Sequence, residues 1–275
     1  MRSFELERWD DGRLTVNRAV ADLFRRNGLA KFDDFMKVRG VVAKDFLAER
    51  TTVRFKLADA EGNEQPFYIK RHSPSSWKEY VKPLLRCRLP ILGARHEWDA
   101  ILRFHRAGIN TMIPAVLGES AGYSLLVTRS LEGCRKVSHW LRGSHQDGYS
   151  AQPTAAARRN ALGAVARLAY NMHTRGLHHQ DFYVHHLLRT TDGEQEELYV
   201  IDLGRACHRP HLARRWIVKD LAQLSYSVPE CSRTERLRFL RAYFGRRLQA
   251  GDRRIMQQIE RKVQHIARHS QRHSL

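Results

Sequence analysis

The sequence predicts an α+β protein of two lobes: a small, five-stranded antiparallel N-lobe with one main helix, and a mostly helical C-lobe. Three observations predict this class. Strand-like runs of β-branched and apolar residues are concentrated in residues 40–131. Apolar residues at helical spacing dominate after residue 150. A length of 275 residues accommodates one large domain or two lobes.

The predicted strands and helix of the N-lobe follow the chain in order. Asn17 can cap a helix over residues 17–36, which we expect to be an accessory segment. A basic amphipathic helix is predicted over 75–86, and the main helix carries Trp98 and Ile101 and ends near Gly108. The five strands are expected near residues 41–42, 51–57, 67–70, 113–117 and 123–128.

The C-lobe is expected to contain a long scaffold helix, a short hairpin and a basic helical end. The helix begins at Ala155 and stops at Gly176, and a turn at Asp192-Gly193 joins the two hairpin strands. Residues 232–275 hold 12 Lys and Arg against 3 acids. The four predicted segments are therefore a helical extension, the N-lobe, the C-lobe with two acidic loops, and a basic helical part of the C-lobe: 1–39, 40–131, 132–231 and 232–275.

Charge and cysteine usage narrow the classes of protein. A formal net charge of +19 indicates polyanionic partners without identifying them. The four cysteines are far apart and lack a C-x-x-C pair, as expected in a reducing compartment. The chain lacks a signal-peptide pattern and an apolar run near the roughly 18 residues of a membrane span, so we expect a cytoplasmic protein.

Four groups of residues that could take part in catalysis follow one another along the chain. They are a lysine on a strand, a glutamate on the next helix, a His-x-Asp loop and an Asp-Leu-Gly after a strand: Lys70, Glu97, His179-Gln180-Asp181 and Asp202-Leu203-Gly204. Each group alone is more often a solvated surface charge. Together, from about residue 40 to 230, they resemble the protein-kinase-like fold.

That resemblance implies a role for each group in phosphoryl transfer from ATP. Glu97 would hold Lys70 toward the α and β phosphates, and Asp181 would accept or orient the proton of a substrate hydroxyl. Asp202 would bind Mg²⁺. His186 stands five residues after Asp181, where protein kinases have a metal-binding Asn, so it is the candidate for a second metal ligand.

A narrower resemblance rests on four longer strings: Tyr68-Ile69-Lys70-Arg71-His72, residues 90–98 (PILGARHEW), residues 179–186 (HQDFYVHH) and Ile201-Asp202-Leu203-Gly204-Arg205-Ala206. They look like the lipopolysaccharide core heptose kinases, relatives of the Kdo kinases. The family implies ATP-dependent phosphorylation of an inner-core heptose in Gram-negative bacteria, at the cytoplasmic face of the inner membrane. By the same resemblance, His179 would support the backbone of the catalytic loop.

The sequence departs from the family pattern at several positions. Gln180 replaces the usual Arg and removes an ionic tether, Gly204 stands where His is frequent, and Arg129 lies where the hinge often has an acid. A glycine-rich phosphate loop is absent between residues 40 and 54. These departures keep a pseudokinase scaffold open as an alternative, which would bind nucleotide without turnover.

Basic side chains suggest where the acceptor and partners bind. Guanidinium groups suit the phosphates and Kdo carboxylates of a lipopolysaccharide inner core. The candidates, for which a solvated loop is an equal alternative, are Arg205, Arg209, Arg214 and Arg215. The basic helices can contact lipid A, an anionic inner-membrane surface as a peripheral protein, or an acidic carrier protein.

Other readings of the same residues are also open. The acceptor can be Kdo or another sugar, because the motif does not specify it. A nucleic-acid partner is not expected, since the charge is the only feature that supports one. Four histidines near Asp181 suggest zinc, yet such histidines more often bond locally. Asp220 either tethers the catalytic loop or is a plain helix charge.

Overall fold

A computed structural model describes residues 3–47, 50–74, 93–143, 152–190 and 197–273. The chain divides into an N-terminal unit (Met1–Arg106 with Met112–Glu132) and a C-terminal unit (Ala107–Thr111 with Gly133–Leu275). An antiparallel sheet builds the first and helices dominate the second, which confirms the predicted fold class. The predicted helix over 75–86 and the Asp192-Gly193 turn lie outside the described residues.

The N-terminal unit contains a seven-stranded antiparallel sheet. Its strands are Leu6–Trp9 (β1), Leu14–Asn17 (β2), Val41–Leu47 (β3), Arg50–Ala58 (β4), Glu64–His72 (β5), Ile113–Ser120 (β6) and Tyr123–Arg129 (β7). They are arranged in the order β1-β2-β6-β7-β5-β4-β3. The strands β3 to β7 are the five that the sequence predicts, and β1 and β2 are additional.

Residues 1–39 therefore differ from the separate helical extension that we expected. Asp10, Asp11 and Gly12 all have positive φ and form the tight turn between β1 and β2. Every residue of β2 is buried, and β2 pairs with β6, with Thr15 opposite Leu117. Leu14 and Val16 of β2 are buried in the core, and pairing with β6 satisfies backbone groups that would otherwise form an open sheet edge.

Two short helices, α1 (Ala21–Arg26) and α2 (Phe32–Lys37), pack against one face of this sheet. The fully buried ring of Phe24 lies 5.2 Å from Phe67 of β5 and 5.3 Å from Phe35. The guanidinium of Arg71 donates to the carbonyls of Phe35 and Val38. The N-terminal residues thus form part of the core of the N-terminal unit.

The main helix of this unit, α3 (Arg95–Arg106), lies on the opposite face of the sheet, where its Glu97 contacts Lys70. Side chains alternate along a strand, so Lys70 projects away from the face that buries Phe67 and Ile69. The apolar side of α3 is buried and consists of Trp98, Ile101 and Phe104. This arrangement brings the first turn of α3 to the strand lysine.

The C-terminal unit is built from helices and short strands. Their bounds are Cys134–Lys136 (β8), Val137–Arg142 (α4), Ala155–Thr174 (α5), Leu177–His178 (β9), Leu187–Thr190 (β10), Leu198–Val200 (β11), Cys207–His208 (β12), Arg214–Tyr226 (α6), Arg233–Phe244 (α7) and Arg253–His273 (α8). The predicted hairpin is present as an antiparallel pair of β10 and β11, and β9 pairs with β12.

Gly176 allows the loops that follow α5 to approach each other. Its φ is +71°, and a Cβ there would overlap the carbonyl oxygen of Arg209. The backbone N–H of Arg209 donates to the Gly176 carbonyl at 2.7 Å. The segment that follows Asp202 is thereby held beside the segment that precedes Asp181.

Across the described residues, none of the helices is long and apolar enough to cross a membrane.

Candidate active site

In the N-terminal unit, Lys70 and Glu97 form an ion pair. The Nζ atom of Lys70 lies 2.7 Å from Oε1 of Glu97. The glutamate side chain is 5% exposed and the lysine side chain 24% exposed. Strand β5 fixes the lysine between β4 and β7, and α3 presents the glutamate from its first turn. The pair holds an ammonium group in one orientation at a partly exposed position.

In the C-terminal unit, the loop of His179, Gln180 and Asp181 is anchored by Asp220 of α6. The buried carboxylate of Asp220 accepts hydrogen bonds from the backbone N–H groups of His179 at 2.8 Å and Gln180 at 2.9 Å. It also contacts Nε2 of His173 at 3.3 Å. Burial raises the pKa of Asp220, but these hydrogen bonds outweigh it and hold the pKa below its usual value.

Gln223 of α6 and Ser227, the C-cap residue of this helix, continue this attachment. Oε1 of Gln223 accepts from the Phe182 N–H, and its Nε2 donates to the Gln180 carbonyl at 2.7 Å. The hydroxyl of Ser227 accepts from the Val184 N–H. Asp220, Gln223 and Ser227 are spaced i, i+3 and i+7, so one helix face fixes the loop. The sequence analysis missed Gln223 and Ser227, and this spacing was the available signal.

His179 links the loop to the strand end that carries Asp202. Its Nδ1 accepts from the Asp181 N–H at 3.2 Å, and its Nε2 donates to the Ile201 carbonyl at 3.0 Å. One nitrogen accepts and the other donates, which defines a neutral imidazole. Burial lowers the pKa of His179, so the neutral form is retained.

His186 contacts both the Asp181 loop and Asp202. Nδ1 of His186 donates to the Asp181 carbonyl at 2.8 Å, and its Nε2 is directed toward the Asp202 carboxylate. Nε2 lies 3.5 Å from Oδ2 of Asp202, whose side chain is 44% exposed. The described parts of the chain contain no cluster of three or more metal-binding side chains. His179 and His186, two of the four histidines near Asp181, hydrogen-bond to backbone carbonyls, which is the local bonding expected for such histidines.

Asp181 and Gln180 both contact Arg205. Nη1 of Arg205 lies 3.1 Å from Oδ1 of Asp181. The Gln180 side chain donates to the Arg205 carbonyl at 2.9 Å. Gln180 and Asp202 both have positive φ, which is uncommon for residues other than glycine. The glutamine that replaces the usual family arginine therefore forms a neutral tether between the two loops.

The remaining predicted arginines surround Trp216 of α6 or lie beside it. The guanidinium carbons of Arg209 and Arg215 are 5.3 and 5.1 Å from the Trp216 ring centroid. Arg214 is exposed at the start of the helix. The buried His178 also contacts Trp216: the two rings stack with their centroids 4.7 Å apart. The sequence analysis did not identify Trp216 as part of this basic surface.

The fold and these groups define a phosphotransferase of the protein-kinase-like class. A sequence model described as the lipopolysaccharide kinase (Kdo/WaaP) family matches residues 33–243. The chain belongs to this family, and the predicted enzyme class and use of ATP are confirmed.

Named relatives agree with this assignment. The lipopolysaccharide core heptose(I) kinase WaaP of Pseudomonas aeruginosa is 34% identical over 90% of this chain and 94% of its own. The protein of the same name from Escherichia coli K12 is 31% identical over 94% of this chain and 99% of its own. A solved structure described as WaaP in complex with acyl carrier protein has a TM-score of 0.70 at 30% identity, covering 92% of this chain and 98% of that one.

Because His178 is buried, we expect the folded protein to lose stability in acid. Burial lowers its pKa from 6.5 to about 4, with Arg209 and Lys219 adding to the shift and Asp220 opposing it. Between pH 6.5 and 4 the unfolded chain binds a proton that the folded chain does not, so stability falls as pH falls. We expect this residue to account for a loss of up to about 3 kcal/mol.

Urea denaturation at several pH values measures this effect. The variant His178→Phe, which preserves an aromatic ring against Trp216, should lose less stability than the wild type between pH 6.5 and 4. His211→Gln, which changes an exposed histidine of the same unit, serves as the control. Parallel curves for the wild type and His178→Phe would show that His178 is not the group responsible.

Proposed function

We propose that this protein transfers the γ-phosphoryl group of ATP, with Mg²⁺, to a hydroxyl of a heptose in the lipopolysaccharide inner core. The observation that carries the proposal is the loop of Asp181, held against α6 and next to Asp202, in a member of the lipopolysaccharide kinase family. The relatives named as heptose(I) kinases support heptose as the acceptor.

Lys70 and Glu97 are assigned to the nucleotide. An ammonium group that donates to the α and β phosphates needs a fixed direction, and the 2.7 Å contact with the buried glutamate supplies one. Glu97 acts through Lys70, so it is a positioning residue.

Asp202 and His186 are assigned to the metal. Proteins commonly bind Mg²⁺ through one or two carboxylates together with substrate phosphates and waters, and the partly exposed Asp202 carboxylate fits that donor set. Nε2 of His186 lies 3.5 Å from the same carboxylate. Imidazole is a poorer Mg²⁺ ligand than an oxygen donor, so Asp202 is the principal ligand. When bound, Mg²⁺ neutralises phosphate charge.

Asp181 is assigned to the acceptor hydroxyl. The hydroxyl oxygen forms a bond to the γ-phosphorus while the bond from that phosphorus to the β,γ-bridging oxygen breaks. The electron pair of the broken bond leaves with ADP, and the hydroxyl proton passes to the Asp181 carboxylate. His179 holds the backbone of Asp181, and the Asp220 carboxylate holds the backbone of His179.

The basic surface around Trp216 is assigned to the acceptor. Arg209 and Arg215 flank the indole ring, and Arg214 lies on the same helix start. Guanidinium groups recognise phosphates and carboxylates with paired hydrogen bonds. The surface therefore suits an anionic inner core that contains phosphate or Kdo.

We also propose an acidic carrier protein as a partner, with peripheral contact to the anionic inner-membrane surface as a further use of the same charge. A similar structure is a complex with acyl carrier protein. On α8, a seven-residue spacing places exposed arginines on one helix face: Arg254, Arg261 and Arg268. Residues Met256, Ile259 and Val263 of α8 line an apolar cavity of about 650 Å³, which is large enough for an acyl chain.

Phosphate transfer to purified lipopolysaccharide core tests the activity, with intact-glycolipid mass spectrometry as the readout. The wild type should add one phosphate, and chelation of Mg²⁺ should stop the reaction until Mg²⁺ is restored. Asp181→Asn removes the proton acceptor and should lower kcat by about 10²-fold to 10⁴-fold. Asp202→Ala should abolish phosphate transfer, and added Mg²⁺ should not restore it.

The exposed Asp22→Asn in the N-terminal unit is the matched control and should keep wild-type activity. A wild-type protein that binds ATP but adds no phosphate to a heptose-containing core would contradict the proposal. Transfer to Kdo or another sugar would identify a different acceptor, and ATP binding without any turnover would indicate a pseudokinase scaffold.

Size-exclusion chromatography with purified acyl carrier protein tests the partner. A complex should form in 50 mM salt and weaken at 500 mM, because exposed charges are screened. Arg254→Glu with Arg261→Glu should weaken it at least tenfold. The control pair Arg26→Glu with Lys37→Glu makes the same charge change on the N-terminal unit. Equal weakening by both pairs would show that α8 is not the binding face.

A further inference from the structure

Phosphoryl transfer requires positive charge at the oxygens of the transferred group, where negative charge spreads in the transition state. The stretch that follows Asp181 supplies none: residues 182–188 are FYVHHLL and contain neither lysine nor arginine. Lys70 is assigned to the α and β phosphates, so it does not serve this position. A side-chain cation that supplements Mg²⁺ at these oxygens would therefore come from another part of the chain.

Arg205 is placed to supply that cation. Its Nη1 lies 3.1 Å from Oδ1 of Asp181, so the guanidinium is adjacent to the group that meets the reacting hydroxyl. Its side chain is 54% exposed, whereas that of Asp181 is 25% exposed. Arg205 follows Asp202 by three residues, and its carbonyl is held by the Gln180 side chain. The arginine is thus fixed at its backbone and accessible at its tip.

The chemistry of the guanidinium favours the transferred phosphoryl group over the acceptor's own anions. A guanidinium has five N–H donors, and a contact with one Asp181 oxygen leaves donors for phosphoryl oxygens. Because Asp181 is assigned to the reacting hydroxyl, the phosphoryl oxygens that arrive at that hydroxyl are the anions nearest to these remaining donors. Arg209 and Arg215 differ, since they lie against Trp216.

We infer that Arg205 is a catalytic residue that donates hydrogen bonds to the transferring phosphoryl group in the transition state. This inference rests on the proposed kinase function. The guanidinium orients Asp181 before the reaction. As the γ-phosphorus moves from the β,γ-bridging oxygen to the acceptor oxygen, the same guanidinium neutralises charge on the phosphoryl oxygens while Asp181 receives the hydroxyl proton.

Steady-state kinetics of Arg205→Ala and Arg205→Lys, with ATP and lipopolysaccharide core varied separately, test the inference. Arg205→Ala should lower kcat by about 10³-fold, within the range found for arginines that act in phosphoryl transfer. KM for both substrates should change by no more than about twofold, because the contact is made in the transition state. Arg205→Lys should recover part of the loss. Guanidinium ion at millimolar concentration should partly restore Arg205→Ala.

Arg238→Ala, which removes an exposed arginine from α7, is the control and should match the wild type. A rise of at least tenfold in KM for the core with unchanged kcat would overturn the inference and make Arg205 an acceptor-binding residue. An unchanged kcat and KM would also overturn it. Wild-type protein that transfers phosphate to neither the core nor water would instead overturn the proposed function, and this inference with it.

Discussion

The buried carboxylate of Asp220 is the constraint on which the rest of the C-terminal unit depends. An unpaired charge in a protein interior costs several kcal/mol, so its persistence requires hydrogen bonds that compensate for lost water. Two backbone N–H groups of the catalytic loop and the imidazole of His173 provide them. The bond from the Gln180 N–H to Asp220, together with the bond from Gln223 to the Gln180 carbonyl, holds Gln180 in the left-handed region.

The positions of the proposed reacting groups depend on this attachment to Asp220. The fixed His179 accepts from the N–H of Asp181 and donates to the Ile201 carbonyl, which joins the loop to the strand end before Asp202. His186 contacts both the Asp181 carbonyl and the Asp202 carboxylate. One buried carboxylate therefore fixes the positions of the proposed proton acceptor and the proposed metal ligand, Asp181 and Asp202, which are 21 residues apart in the sequence.

Strand and helix periodicity in the sequence predicted the elements that are determined by neighbouring residues. The alternation in residues 67–70 and the helical spacing around Trp98 identified β5 and α3, and the family resemblance assigned Lys70 and Glu97 to them. The β1–β2 hairpin was missed because the analysis began its helix at Asn17, although Asp10-Asp11-Gly12 is a turn signal. Gln223 and Trp216 were missed for another reason. Their partners Phe182 and His178 lie about 40 residues away, and helical spacing shows which residues share a face without showing what that face contacts.

Hydrogen exchange combined with kinetics on Asp220→Asn tests the central claim most directly. The account predicts that the amides of His179 and Gln180 lose protection and that kcat for phosphate transfer falls at least about a hundredfold, since misplacing a reacting group by about 1 Å has an effect of that size. Asp252→Asn, which alters another buried carboxylate of the same unit, should leave both unchanged. A folded Asp220→Asn protein with protected loop amides and wild-type kcat would contradict the account.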